Sequence, residues 1–198
     1  MLYQVLELED TSRPGPPGLI DFAAEARAEV EARGGQLWGL FGNLLGLPTN
    51  RVYLVICASE PINIDVTAPI DLVSERRFRA TSRPQTTEAQ STPGVYVFRW
   101  FQIRPDSVDE IVQLSGQAWP TFEGEFATEV KGLFVEDTPD PTTMLLITWY
   151  QDLSVWEASR QPAPEARQNF QRRHQLTRSA LPIATTLLSG GSTLVSHS

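Results

Sequence analysis

Four side chains in the second half of the chain are of types that could hold or act on a small ligand: Arg99, Trp149, Arg173 and His174. Arg99 stands between Phe98 and Trp100, in a run from Val95 to Ile103 that is apolar at nearly every position. A guanidinium there must reach water or an acceptor, because an unpaired buried charge is very costly. Either a carboxylate of the protein pairs with it, making it structural, or its partner is water in a cavity or an anionic ligand. Arg173 and His174 lie in the densest basic stretch of the chain. Arg160, Arg167, Arg172 and Arg178 accompany them against a single acid, Glu165. The plain reading of that stretch is a solvated helix face; the functional one is an anion site, since guanidinium forks match carboxylate and phosphate. His174 is the only histidine outside the last residues and follows Phe170 by four, so the two share a helical face. An imidazole titrates near neutrality, as a general base or a switch must. Trp149, with Trp100, Trp119 and Trp156, gives the second half four of the five tryptophans. Aromatic residues on strands can line a pocket, and equally well fill a core.

Other chemistries lack their residues. The net charge of −8 opposes general binding to nucleic acid or to an anionic membrane. Cys57 is the single cysteine, so no disulfide can form within the chain, and its apolar surroundings make it a small core residue. No HxxxH, CxxC or clustered His and Asp set suggests a metal, and no glycine-rich phosphate loop suggests a nucleotide. No cofactor or metal is therefore expected, and no catalytic residue can be named. The N-terminus has no secretory pattern and no stretch is long and apolar enough to span a bilayer, so the expected compartment is the cytoplasm.

The elements that must position these side chains can be read in order. Residues 2–9 alternate as a strand. Residues 11–18 form a proline- and glycine-rich loop, and Leu19, Phe22, Ala23, Ala26 and Val30 then recur at helical spacing up to Gly34-Gly35. Strands follow over 36–41 and 51–58, joined by an unusually apolar connection at 42–47. Its leucines, Leu44, Leu45 and Leu47, are expected to be covered by another part of the chain or by a second subunit in a homo-oligomer. Residues 60–69, bracketed by Pro61 and Pro69, leave no room for a full helix, and 70–81 is a fourth strand. Residues 82–94 read as a polar linker. A strand at 95–103 comes next. Ser107 with Glu110 makes a capping box for a helix traced by Val108, Ile111, Val112, Ser115 and Trp119, which Pro120 kinks or interrupts. A strand pair fills 129–152. A helix at 153–159 is broken by Pro162 and Pro164 and resumes over 165–181, before a last strand at 183–188 and a frayed tail at 190–198.

The two halves echo each other. Gly39-Leu40-Phe41 falls on Gly132-Leu133-Phe134, an offset of 93 (132 − 39), and Val52-Tyr53-Leu54-Val55 falls on Leu145-Leu146-Ile147-Thr148 at the same offset. Leu6 then corresponds to Arg99. Each half reads β-α-β-β-(α)-β, the ferredoxin-like order, with the second helix missing from the first half. The chain is expected to be α+β, with residues 1–81 and 95–198 as two tandem ferredoxin-like repeats. Apolar positions on both faces of 95–101 imply that the two sheets pack face to face as an intrachain α+β barrel.

Two short motifs carry a family resemblance. The strand with Arg99 ahead of Trp100, and Tyr150-x-Asp152-Leu153 leading from strand to helix, resemble the NIPSNAP family of the dimeric α/β-barrel superfamily. The resemblance spans about 94–189, and the first half joins it only through the repeat. It implies the barrel fold but no single activity. The superfamily includes cofactor-free monooxygenases, isomerases, haem-degrading enzymes, haem-bound chlorite dismutases and proteins of unknown role. Together the residues favour binding of a small apolar or aromatic, optionally anionic, molecule by Arg99, Trp149, Arg173 and His174. The alternatives are a cofactor-free monooxygenase or isomerase, and a haem protein with His174 as its one available axial ligand.

Overall fold

The computed structural model describes residues 1–136, 138, 140–190 and 193–194. The chain is α+β and divides into two compact units. The first comprises Met1–Arg79, Thr86–Pro93 and the chain from Ile183; the second comprises Ala80–Gln85 and Gly94–Pro182. Nine strands run β1 (Leu2–Asp10), β2 (Gln36–Leu45), β3 (Arg51–Ala58), β4 (Ile70–Arg83), β5 (Val95–Ile103), β6 (Thr128–Glu136), β7 (Thr142–Tyr150), β8 (Thr177–Gly190) and β9 (Thr193–Leu194). The helices are α1 (Pro17–Ala32), α2 (Val108–Glu125), α3 (Leu153–Ala158) and α4 (Pro164–Gln175).

The first unit has the strand order β4-β1-β3-β2, antiparallel between neighbours, which is the ferredoxin-like arrangement. Helix α1 starts at a proline, whose missing N–H costs nothing at that position. It buries Leu19, Ala23, Ala26 and Val30 against Leu6, Leu8, Leu54 and Ile56 of the sheet. Where a second helix would lie, the coil between β3 and β4 runs as a strap. Buried Gln4 pins it, donating from Nε2 to the Ile62 carbonyl at 3.0 Å and accepting from the Ile62 N–H at 2.7 Å. That pair satisfies a buried amide at the backbone and plugs Ile62 into the core.

The second unit has the order β8-β5-β7-β6, with the end of β4 beside β6, where Thr81 Oγ1 donates to the Leu133 carbonyl at 2.7 Å. Helix α2 packs on β6 and on α4, and α3 packs on β7. Phe101, Ile111, Trp119, Val130, Leu133 and Leu146 centre its core. Each unit repeats one local device. The β2–β3 register shifts between Leu37 and Gly39, and the β6–β7 register between Val130 and Gly132. Just past each bulge the ring two residues on, Phe41 or Phe134, lies over the glycine where a Cβ would sit. Gly39 and Gly132 thus sit beside matching bulges, each under a ring two residues on.

Several expectations are corrected. Gly39 pairs with Val55, but Gly132 pairs with Ile147, so the third strands correspond at an offset of 92 (147 − 55) rather than 93. The helix resuming near 165 ends at Gln175, and Thr177 opens a long strand through 181 and beyond. Partners across β5 outweigh the helical spacing of this stretch, and Pro182 could not have continued a helix. Pro120 does not interrupt α2, which runs unbroken to Glu125. The capping box does not form: Ser107 is the N-cap but makes no side-chain cap, and its hydroxyl donates to Asp106 instead. The apolar connection at 42–47 is mostly strand, since β2 runs to Leu45 with Asn43 opposite Thr185. Leu44 and Leu45 remain 39% and 53% exposed, so this chain does not cover them. Most of the tail expected at 190–198 lies outside the described residues; Gly190 pairs with Thr193.

Candidate functional site

A cavity of about 870 Å³ opens in the second unit between its sheet and its helices. That is within the range of small-molecule sites, roughly 300–1,000 Å³. Strand alternation decides which side chains reach it. Arg99 and Phe101 of β5 face it, as do Leu146, Thr148 and Tyr150 of β7. Trp119 and Phe122 of α2, Trp156 of α3 and Phe170 of α4 wall it with rings. Phe122 and Phe170 meet edge to face, their centroids 5.4 Å apart.

Arg173 is the centre of its electrostatics. It is only 7% exposed. Its Nη1 donates to Ser115 Oγ at 3.1 Å, and its guanidinium lies 4.8 Å from the Phe170 ring centroid and 5.4 Å from that of Phe101. Two aromatic faces and a hydroxyl are weak compensation for a desolvated cation. Burial, with Arg99 nearby as a like charge, pushes the guanidinium down to about 9. Arginine holds its proton too firmly to lose it near neutrality, so the site carries an uncompensated positive charge instead. Arg99 is half-buried and makes no ion pair among the described residues. Tyr150 stands beside both. Burial raises its hydroxyl, the two guanidiniums oppose that, and Ser159 and Thr148 hydrogen-bond to it. No described Asp or Glu lines the cavity.

Arg160 and Arg167 also border the cavity, while several other cations of this unit pair with acids. Arg172 donates to Glu110 at 2.7 Å on the outer side of α4, Arg178 pairs with Asp140, and Arg83 with Glu123. Arg167 donates to the Pro162 carbonyl. The paired acids are spent on the outer surface; the inner guanidiniums have none.

The four residues singled out from sequence divide. Arg99, Arg173 and His174 line the cavity together. His174 sits at its rim and is exposed, so the sheltered ring that general-base work needs is not there. Trp149 does not line it. Its neighbours Thr148 and Tyr150 take the cavity face, and its ring lies under Lys131 Nζ, 5.9 Å away, on the other face of β7. Sequence reasoning did not assign Tyr150 or Phe170 to a site, and named Trp156 only among the tryptophans that could line a pocket. The signal for Tyr150 was parity with Leu146, opposite Arg99. Phe170 stands three residues before Arg173, which puts both on one side of α4.

No protein-family model and no characterised protein sequence matches the chain. Solved structures do. An anthrone oxidase-like protein superposes with a TM-score of 0.62 at 12% identity, over 96% of this chain and 92% of that one. A heme-binding protein from Thermus thermophilus gives 0.56 at 10% identity, over 95% and 90%. An uncharacterized ferredoxin fold protein from Listeria monocytogenes, related to antibiotic biosynthesis monooxygenases, gives 0.55 at 10%, over 95% of each. At such identities the likeness is one of fold: the chain has the ferredoxin-like α+β architecture of these proteins. No metal-ligating cluster occurs among the described residues, and no described helix is long and apolar enough to cross a membrane.

Proposed function

We propose that the second unit binds a small aromatic molecule carrying an anionic group, with the anion received by Arg173 and Arg99. The observation that carries this reading is a ring-walled cavity with two inward guanidiniums and no described carboxylate. A protein retains an uncompensated buried cation at a cost in stability, and such sites are characteristically functional. The first unit of the fold supplies the frame, and the NIPSNAP-like kinship belongs to the same reading. It is supported by Asp152, the acid of the strand-to-helix motif, which caps α3 by accepting from the Val155 N–H at 2.9 Å. The equivalent glycine bulges support the view that the units are copies of one repeat.

Calorimetric titration with benzoate and with benzamide, its neutral counterpart of the same shape, tests the proposal. Wild-type protein is expected to prefer benzoate at least about tenfold, the scale of one charge-assisted hydrogen bond. Arg173→Met is expected to abolish the preference. Equal binding of the two probes, or an Arg173→Met variant that binds benzoate as wild type does, sinks it.

A further inference from the structure

The cavity holds more positive charge than one anion calls for. Arg160 and Arg167 line it together with Arg99 and Arg173, and no described Asp or Glu does. The chain as a whole has a net charge of −8, so this gathering of guanidiniums runs against its balance. Elsewhere arginines are given acids: Arg51 has Glu7 and Glu9, Arg83 has Glu123, Arg172 has Glu110 and Arg178 has Asp140. None of the cavity arginines has an ion pair among the described residues.

The cations form two pairs at different depths. Arg99 stands on the strand floor and Arg173 is buried on the inner side of α4. Arg160, just past α3, and Arg167, near the start of α4, are exposed, so they stand where the cavity meets solvent. Arg167 and Arg173 are six residues apart on α4 (173 − 167), about 9 Å along the axis at about 1.5 Å per residue. Phe170 is midway between them, lines the same cavity and meets Phe122 edge to face. Charge, ring and charge thus follow one another along one wall. The outer pair is not loosely placed. Arg167 Nη2 donates to the Pro162 carbonyl at 3.0 Å, within the turn between α3 and α4. Glu125, an acid that reaches this turn, accepts from the Ala163 N–H at 2.8 Å and does not line the cavity. We infer that the ligand is an elongated aromatic dianion: one anionic group lies deep on Arg99 and Arg173, the aromatic body lies against Phe122 and Phe170, and a second anionic group at the far end is held at the mouth by Arg160 and Arg167. The inference rests on the anion reading above and adds the length and the second charge of the ligand.

Calorimetric titration with biphenyl-4,4′-dicarboxylate and with 4′-carbamoylbiphenyl-4-carboxylate tests it, because the two probes share a shape and differ in the charge of the far end. Affinities are measured on wild type, on a variant combining Arg160→Gln and Arg167→Gln, and on Arg173→Met. Wild type is expected to bind the dicarboxylate about tenfold more tightly, the scale of one charge-assisted contact. That preference is expected to fall away in the double variant, which should bind the carbamoyl probe as wild type does. Both probes should lose affinity in Arg173→Met. A wild-type preference of about twofold or less, which two equivalent ends give by statistics alone, overturns the mouth pair and leaves the deep anion site standing. So does a preference that survives in the double variant. If both probes are indifferent to Arg173→Met, the deep site itself fails. Failure of both probes to bind wild type overturns the elongated ligand, and benzoate titrated beside them reports separately on the deep site. Arg160 and Arg167 are exposed, so glutamine at these positions is not expected to disturb the fold, and the comparison of probes on wild type needs no variant.

Discussion

Leu6 of the first unit and Arg99 of the second have matching cross-strand partners. Leu6 lies opposite Leu54, which lies opposite Leu40; Arg99 lies opposite Leu146, which lies opposite Leu133. One residue of the three differs between the units. The surroundings differ in the same sense. Ile56 and Ala58 of the first unit correspond by register to Thr148 and Tyr150 of the second. Above Leu6 an apolar strap delivers Ile62 into a core of leucine and isoleucine. Above Arg99 two helices deliver Trp156 and Arg173 to a cavity. The first unit thus shows what this frame becomes when its helix-side face is packed for stability. The second shows the same frame with polar and cationic groups at matched positions, which a stable core would exclude. The difference locates function by what it costs.

The largest expected effect comes from exchanging the two residues. Leu6 is 2% exposed among apolar side chains. Leu6→Arg places a guanidinium there without a cavity or partner, and is expected to cost about 3–5 kcal/mol of stability. Arg99→Leu, the reverse exchange, is expected to stay within about 1 kcal/mol of wild type or exceed it. Urea unfolding midpoints measure both. Equal losses from the two substitutions would mean that the units are packed alike and the comparison is empty.

A smaller contrast separates paired from unpaired arginines. Arg51 in the first unit bridges Glu7 at 3.0 Å and Glu9 at 2.7 Å. Arg51→Met leaves two glutamates on one strand without their cation and is expected to cost about 1 kcal/mol, since the group is partly exposed. Arg173→Met removes a buried charge that has no counter-ion. It is expected to stabilise the ligand-free protein by about 1–3 kcal/mol, as replacement of buried charges by apolar groups often does. Thermal unfolding of both variants without ligand gives the signs. A destabilised Arg173→Met would make Arg173 a structural residue held by its rings and Ser115.

The sequence exposed the candidates of this contrast but not their placement. Arg99 was legible because a cation in an apolar strand contradicts its neighbours, and the Gly-Leu-Phe echo aligned it with Leu6. Arg173 was singled out together with His174 for lying in a basic stretch, but among Arg167, Arg172 and Arg178 only three-dimensional packing shows which guanidinium turns inward. Trp149 drew attention by residue type, while strand parity, which depends on a register no sequence states, handed the cavity to Tyr150. The bulge beside each glycine was invisible because a one-residue slip leaves apolar residues on both sides of the ladder. Residues 177–181 fit a helix locally and are a strand because β5 offers partners there.

The smallest effect concerns the cap of the short helix that carries Trp156. Each unit has an aspartate at or just after the end of a strand whose carboxylate is held below its ordinary range by local donors. Asp10 takes the Ser12 hydroxyl and N–H, with Arg13 adding to it; Asp152 takes the Ser154 hydroxyl and the Val155 N–H. A carboxylate lowered in the folded state stabilises above its ordinary pKa, and the stabilisation is lost as pH falls through the folded value. The consequences should differ between the units. Asp10 precedes α1, a helix with four buried side chains that will hold without it. Asp152 caps α3, six residues long with none fully buried, so the cap is a large part of what fixes Trp156. Acidification below about pH 4, near the ordinary carboxylate value, is therefore expected to loosen α3 before the protein unfolds. The readout is the fluorescence of wild type minus that of Trp156→Phe, which isolates one indole. That difference should change as pH falls below the ordinary carboxylate value of about 4 in wild type, since a lowered carboxylate takes up its proton on the acid side of it, and Asp152→Ala should show the acid-side value already at neutral pH. A flat difference signal in wild type, or an Asp152→Ala variant that still shows the step, would mean that α3 is held by its packing on β7 and that the cap is incidental.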